Sequence, residues 1–200
     1  MRINTILGAA CACAMALPLS AGAEVVRAVS EMRASHAVSA HWGSSVPAQG
    51  AASLTYDRDT GTIIELVMTI DGTSTDDLAP AGPGGMLGSI HIHNYPQGGP
   101  NFFIQQLPGE FEETDSGFVF RVSNWKVEDP IVGPEGGADF VLSEVERGNA
   151  YFGLHTNHAL CPGNTKDGVA GTCAAPGTAL SGHITVLPAP HPDVVAMFSQ

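Results

Sequence analysis

The stretch Ser89-Ile90-His91-Ile92-His93-Asn94-Tyr95-Pro96-Gln97-Gly98-Gly99 reads as a short strand running into a turn. Isoleucine and histidine alternate, and the two-residue period of a strand sends Ile90 and Ile92 to one face and His91 and His93 to the other. The apolar face implies a core beneath it. Two imidazoles at i and i+2 can chelate one ion when a neighbouring strand brings a third ligand, and imidazole suits zinc, copper, iron and nickel.

The segment from Ala150 to Thr156 supplies such a strand. Phe152 and Leu154 face one way, and Tyr151, Gly153 and His155 the other, so His155 is the third candidate ligand. A last strand, Ala179 to Leu187, puts Leu180, Ile184 and Val186 on one face and His183 with Ser181 and Thr185 opposite. If Ile90, Ile92, Phe152, Leu154, Leu180 and Ile184 fill the core, then His91, His93, His155 and His183 all project from the outer face. His158 lies beyond the His155 strand, where it can serve as a further ligand or cap. His36, His41 and His191 have no partners at metal spacing.

Ala51 to Tyr56 and Ile63 to Ile70 flank Asp57-Arg58-Asp59-Thr60-Gly61, the polar and glycine-containing turn of a hairpin. Its second strand is expected to turn Ile64, Leu66, Met68 and Ile70 to one face, with Glu65 and Thr69 opposite. Ala34 to Trp42 alternates as a strand, while Glu24 to Arg33 fits a helical turn or a continuation of that strand. Phe102 to Leu107 and Phe118 to Val127 are two further strands joined by a polar acidic connection. Ala138 to Arg147 has helical spacing and stops at Gly148. Many short strands with frequent Gly and Pro turns predict an all-β chain: an antiparallel Greek-key β-sandwich or barrel with one short helix and long loops.

Met1-Arg2, the apolar run from Ile6 to Leu17 and the small residues Ala21 and Ala23 have the form of a secretory signal peptide, cleaved after Ala23. The expected organisation is a leader at 1–23, one β-sandwich domain at 24–187 and a tail at 188–200, in a periplasmic or secreted protein. The apolar run is too short to span a bilayer, so no membrane span is expected. Cleavage leaves seven basic residues against 20 acidic ones, a net charge of −13, which argues against nucleic acid as a partner. Cys161 and Cys173 are the pair left after cleavage. In an exported chain, with a loop rich in Gly, Asn, Thr and Pro between them, they read as a local disulfide, with a thiolate metal site as the alternative.

Several short motifs in this order resemble the chordin-type domain, CHRD, of bacterial secreted proteins and animal chordin. They are Gly50-Ala51-Ala52-Ser53-Leu54, the His91-Ile92-His93 strand with Gly98-Gly99-Pro100, Leu142 to Gly148 running into Tyr151, His155-Thr156, and Gly177 to Ile184. The resemblance covers roughly positions 34 to 187. It departs from the family's closing motif, where Ser181 stands for an arginine and His183 for a glutamine. The resemblance implies a sandwich related in architecture to copper/zinc superoxide dismutase, whose metal-binding strand also carries a His-x-His pair directed away from the core.

Three or four imidazoles without a thiolate favour copper or zinc. The expected function is therefore binding of a copper or zinc ion through His91, His93 and His155, with His183 or His158 completing the shell, in metal handling or redox chemistry. Two alternatives stand beside it. One is a metal-free module for binding an extracellular protein or glycan, with the histidines hydrogen-bonded to Asn94 and Thr156. The other is superoxide dismutase-like activity. No phosphate loop or hydrolase triad is present: Gly82-Pro83-Gly84-Gly85 is followed by no lysine, and Ser181 and His183 lack a nucleophile elbow.

Overall fold

The computed structural model describes residues 24–33, 48–79, 88–94, 102–156, 165–166, 169–170 and 178–189. The strands are β1 (Val25–Arg33), β2 (Gln49–Asp57), β3 (Thr62–Asp71), β4 (Ile90–Asn94), β5 (Ile104–Gln106), β6 (Glu110–Glu113), β7 (Gly117–Lys126), β8 (Ala150–His155), β9 (Thr165–Lys166), β10 (Val169–Ala170), β11 (Thr178–His183) and β12 (Thr185–Val186). Helix α1 (Gly137–Glu146) lies between β7 and β8. Apart from the β9–β10 pair, the strands form one hydrogen-bonded sheet in the order β5-β4-β8-β11-β1-β2-β3-β7-β6, with β12 also beside β1. Every pairing is antiparallel. The successive strands β1, β2 and β3 are neighbours, and β11 returns beside β1, which is the four-strand order of a Greek key. The all-β expectation holds.

Ile90, Ile92, Phe152, Leu154 and Leu180 from one part of the sheet share a single core with Leu54, Leu66, Met68, Ile70, Phe118 and Phe120 from the other. The sheet therefore curls over its own inner face, as antiparallel sheets with one apolar side do. The segment that fitted either helix or strand is β1, whose Val26, Ala28, Ser30 and Met32 point inward in strict alternation. The last strand is split: Ile184 is buried between β11 and β12, and its N–H is bonded to the Ala150 carbonyl at 3.0 Å.

Two expectations are corrected. Thr55 pairs with Glu65 but Tyr56 pairs with Ile63, a bulge that inserts one residue and reverses the phase at the start of β3. Ile63 is consequently the core residue and Ile64 is 36% exposed. The acidic connection before β7 contains a strand of its own, β6, exposed along its whole length. Its Phe111 ring lies on Phe118 and Phe120, with centroids 5.5 and 4.9 Å away, and its glutamates charge a sheet edge that would otherwise invite pairing.

Helix α1 forms where its spacing predicts and buries Val141, Leu142 and Val145. Gly61, at φ +67°, carries the hairpin turn under it; a Cβ there would come within 2.3 Å of the Ala138 Cβ. The helix also holds the end of β4. Buried Glu144 accepts hydrogen bonds from Asn94 Nδ2 at 3.2 Å, Arg147 at 2.8 Å and Asn149 at 3.3 Å, while Asn94 Oδ1 accepts the Phe103 N–H at 2.9 Å. Among the described residues no helix is long and apolar enough to cross a membrane. The leader at 1–23, the strand expected at 34–42, His36, His41, His158, His191, Cys161, Cys173 and all of the tail beyond residue 189 lie outside the described residues.

Candidate metal centre

The β4–β8 ladder sets His91 opposite Gly153 and His93 opposite Tyr151. Directly opposed residues in an antiparallel pair point to the same face, so Tyr151, Gly153 and His155 stand on the side of the two β4 histidines. The His155 N–H bonds the Ser89 carbonyl at 2.8 Å, which extends the ladder past the strand and fixes His155 beside His91.

The three rings converge. Their centroids are 5.3 Å apart for His91 and His93, 4.8 Å for His91 and His155, and 5.7 Å for His93 and His155. One nitrogen from each lies within 4.8 Å of the others, and among the described residues this group holds His91, His93 and His155 alone. His93 Nε2 and His155 Nε2 are 3.5 Å apart. Two nitrogens bound to one tetrahedral ion at the usual zinc–imidazole distance stand about 3.3 Å apart. The pair is thus already near chelating separation.

The expectation of an outer face holds for the direction of these side chains, but that face is covered at β4. His91 is 3% and His93 5% exposed, with His155 half-buried. The His93 ring lies parallel to Tyr151, with centroids 5.2 Å apart, and to Phe102, at 6.1 Å. Burial removes water from the imidazoles and penalises their charged forms. For His91 this desolvation, with repulsion from His155, pushes the pKa down to about 3, against the opposite effect of hydrogen bonding by the Gly88 backbone. His93 lies well below the ordinary range from desolvation and from His155 and His91. Both rings are neutral at pH 7 and able to donate a lone pair.

Among the described residues no partner meets full hydrogen-bond geometry at His93 Nδ1 or at either nitrogen of His91, although the Gly88 backbone lies close enough to act on His91, and all three atoms are buried. Each orphaned polar group costs about 1–3 kcal/mol, so buried nitrogens of this kind call for an ion or water to satisfy them. Gly153 keeps the space between the rings. A Cβ at that position would sit 3.1 and 3.2 Å from His93 Cδ2 and Nε2 and 3.5 Å from His155 Nε2.

His183 shares the face by its pairing with Tyr151, but it is exposed and outside the converging group. Asn94, named as a partner for a hydrogen-bonded histidine cluster, bonds Glu144 and the Phe103 N–H. Buried Thr156 forms a bridge to Leu78. The walls Phe102 and Tyr151 and the spacer Gly153 carry no role in the sequence reading, although the alternation Tyr151, Gly153, His155 placed two of them on the histidine face. No known family model matches this chain, and no curated protein is significantly similar to it.

Proposed function

We propose that this is an exported CHRD-type protein that holds a copper or zinc ion through His91, His93 and His155 and serves in periplasmic or extracellular metal handling. The observation that carries the reading is the convergence of three imidazoles on two paired strands, with three buried nitrogens that find no well-formed hydrogen bond among the described residues. The leader-like segment at 1–23 and the acidic balance of the chain support export. Three histidines leave a coordination position for water, substrate or a further imidazole, for which His158 and His183 are the candidates from the sequence. A zinc ion there would activate water, and a copper ion would exchange electrons. Among the described residues no carboxylate joins the group as a general base, so binding is proposed and a hydrolytic step is not.

Metal content of the mature protein, purified without affinity metal and measured by mass spectrometry, tests this. One equivalent of copper or zinc is expected, and loss of that equivalent in a His91→Ala/His93→Ala double variant. A chain that carries no metal and takes up neither ion on addition would remove the reading and leave the metal-free interaction module. A copper-loaded sample inactive in a superoxide assay would remove dismutation alone.

A further inference from the structure

Building on the metal-site reading, we infer that the site selects copper in its monovalent state over divalent copper and zinc. Charge sets this preference. All three donors are imidazoles, which bind an ion as uncharged ligands, and among the described residues no carboxylate or thiolate stands with them. The acidic surface of the chain does not supply the missing anion, since exposed charges beyond about 8–10 Å are screened by salt.

Moving an ion from water into a poorly polarisable site costs free energy in proportion to the square of its charge. A divalent ion therefore pays about four times what a monovalent one does, unless an anion accompanies it. His91 and His93 are almost completely buried, and the flat faces of Tyr151 and Phe102 close on His93. Such a pocket compensates a divalent charge poorly. Ligand number points the same way: three nitrogens complete a trigonal copper(I) site, whereas zinc takes a fourth ligand.

Titration of the metal-free full chain under anaerobic conditions, with copper(I) against a chromophoric copper(I) chelator and with copper(II) and zinc(II) against their own chelators, tests the inference. The expected result is one copper(I) per chain, silent in spin resonance, with a dissociation constant at least ~100-fold below that for copper(II). By the one-electron relation this raises the copper potential by about 120 mV over the free-ion couple. Ile104 pairs with His93 on the same face and is half-buried, so Ile104→Glu introduces an anion beside the site. That variant is expected to shift the preference at least ~10-fold towards copper(II). Wild-type protein that binds copper(II) or zinc(II) as tightly as copper(I) would overturn the inference and leave the metal site standing. Uptake of none of the three ions would remove both, and a folded Ile104→Glu variant with an unchanged ratio would remove the charge argument.

Discussion

His93 and His155 meet across the β4–β8 ladder with their Nε2 atoms 3.5 Å apart, and Gly153, between them on β8, leaves the space in which they meet. A Cβ at residue 153 would crowd the His93 ring edge at 3.1–3.2 Å and meet His155 Nε2 at an ordinary contact distance of 3.5 Å. Gly153→Ala is therefore expected to fold, to lose about 1–2 kcal/mol to overpacking, and to bind metal at least ~10-fold more weakly. Urea unfolding and metal titration separate the two effects; unchanged affinity would show that the rings are not held at chelating distance by this residue.

Replacing a buried imidazole that makes no well-formed hydrogen bond among the described residues should not harm the metal-free fold. His91→Leu puts an apolar side chain of similar size in its place and removes two buried nitrogens. The metal-free variant is expected to equal or exceed the wild type by about 1 kcal/mol in unfolding free energy while losing its metal. A loss of several kcal/mol would instead assign His91 to a structural hydrogen-bonded cluster.

Metal-free stability should fall with acid in a defined window. His91 and His93 are held below their ordinary pKa in the folded chain, His91 near 3, whereas the unfolded chain takes up protons near pH 6.5. Between those values the unfolded state binds more protons, so stability is greatest above about pH 6.5 and declines as pH drops towards 3. Denaturant midpoints across that range check this. The His91→Leu/His93→Leu variant should show a visibly flatter profile.

Glu144 ties α1 to the end of the histidine strand through Asn94. Glu144→Ala leaves Asn94 Nδ2 buried without its acceptor and should cost about 2–3 kcal/mol. Glu144→Gln keeps an acceptor for Asn94 and loses an ion pair whose Arg147 side is 66% exposed, so it should cost about 1 kcal/mol or less. Thermal or urea unfolding of the pair of variants distinguishes hydrogen bonding from charge.

The bulge at Thr55/Tyr56 assigns very different weights to adjacent isoleucines. Ile63→Ala opens a cavity in the core and should cost about 3 kcal/mol, while Ile64→Ala, at the surface, should stay within about 0.5 kcal/mol. Equal costs would mean that β3 pairs without the bulge.

Local alternation in the sequence was sufficient to establish the antiparallel fold, the β2–β3 hairpin, helix α1 and the side of each strand on which Ile90, Ile92, Phe152, Leu154 and the histidines fall. A strand's side-chain period is a property of the backbone, so it needs no knowledge of neighbours. It failed at Ile64, because a bulge arises only where two strands meet out of step. It was silent on β6, where glutamates dominate and the strand exists because Phe111 finds Phe118 and Phe120 on β7. For the site, sequence periodicity determined that His91, His93 and His155 share a face. Only the tertiary structure decided that β4 and β8 are neighbours, that the face is covered there, and that His183 stays in solvent while the other three converge. Register, burial and the cost of an unpaired nitrogen depend on what lies across the ladder and above it, and those contacts come into being only when distant segments pack.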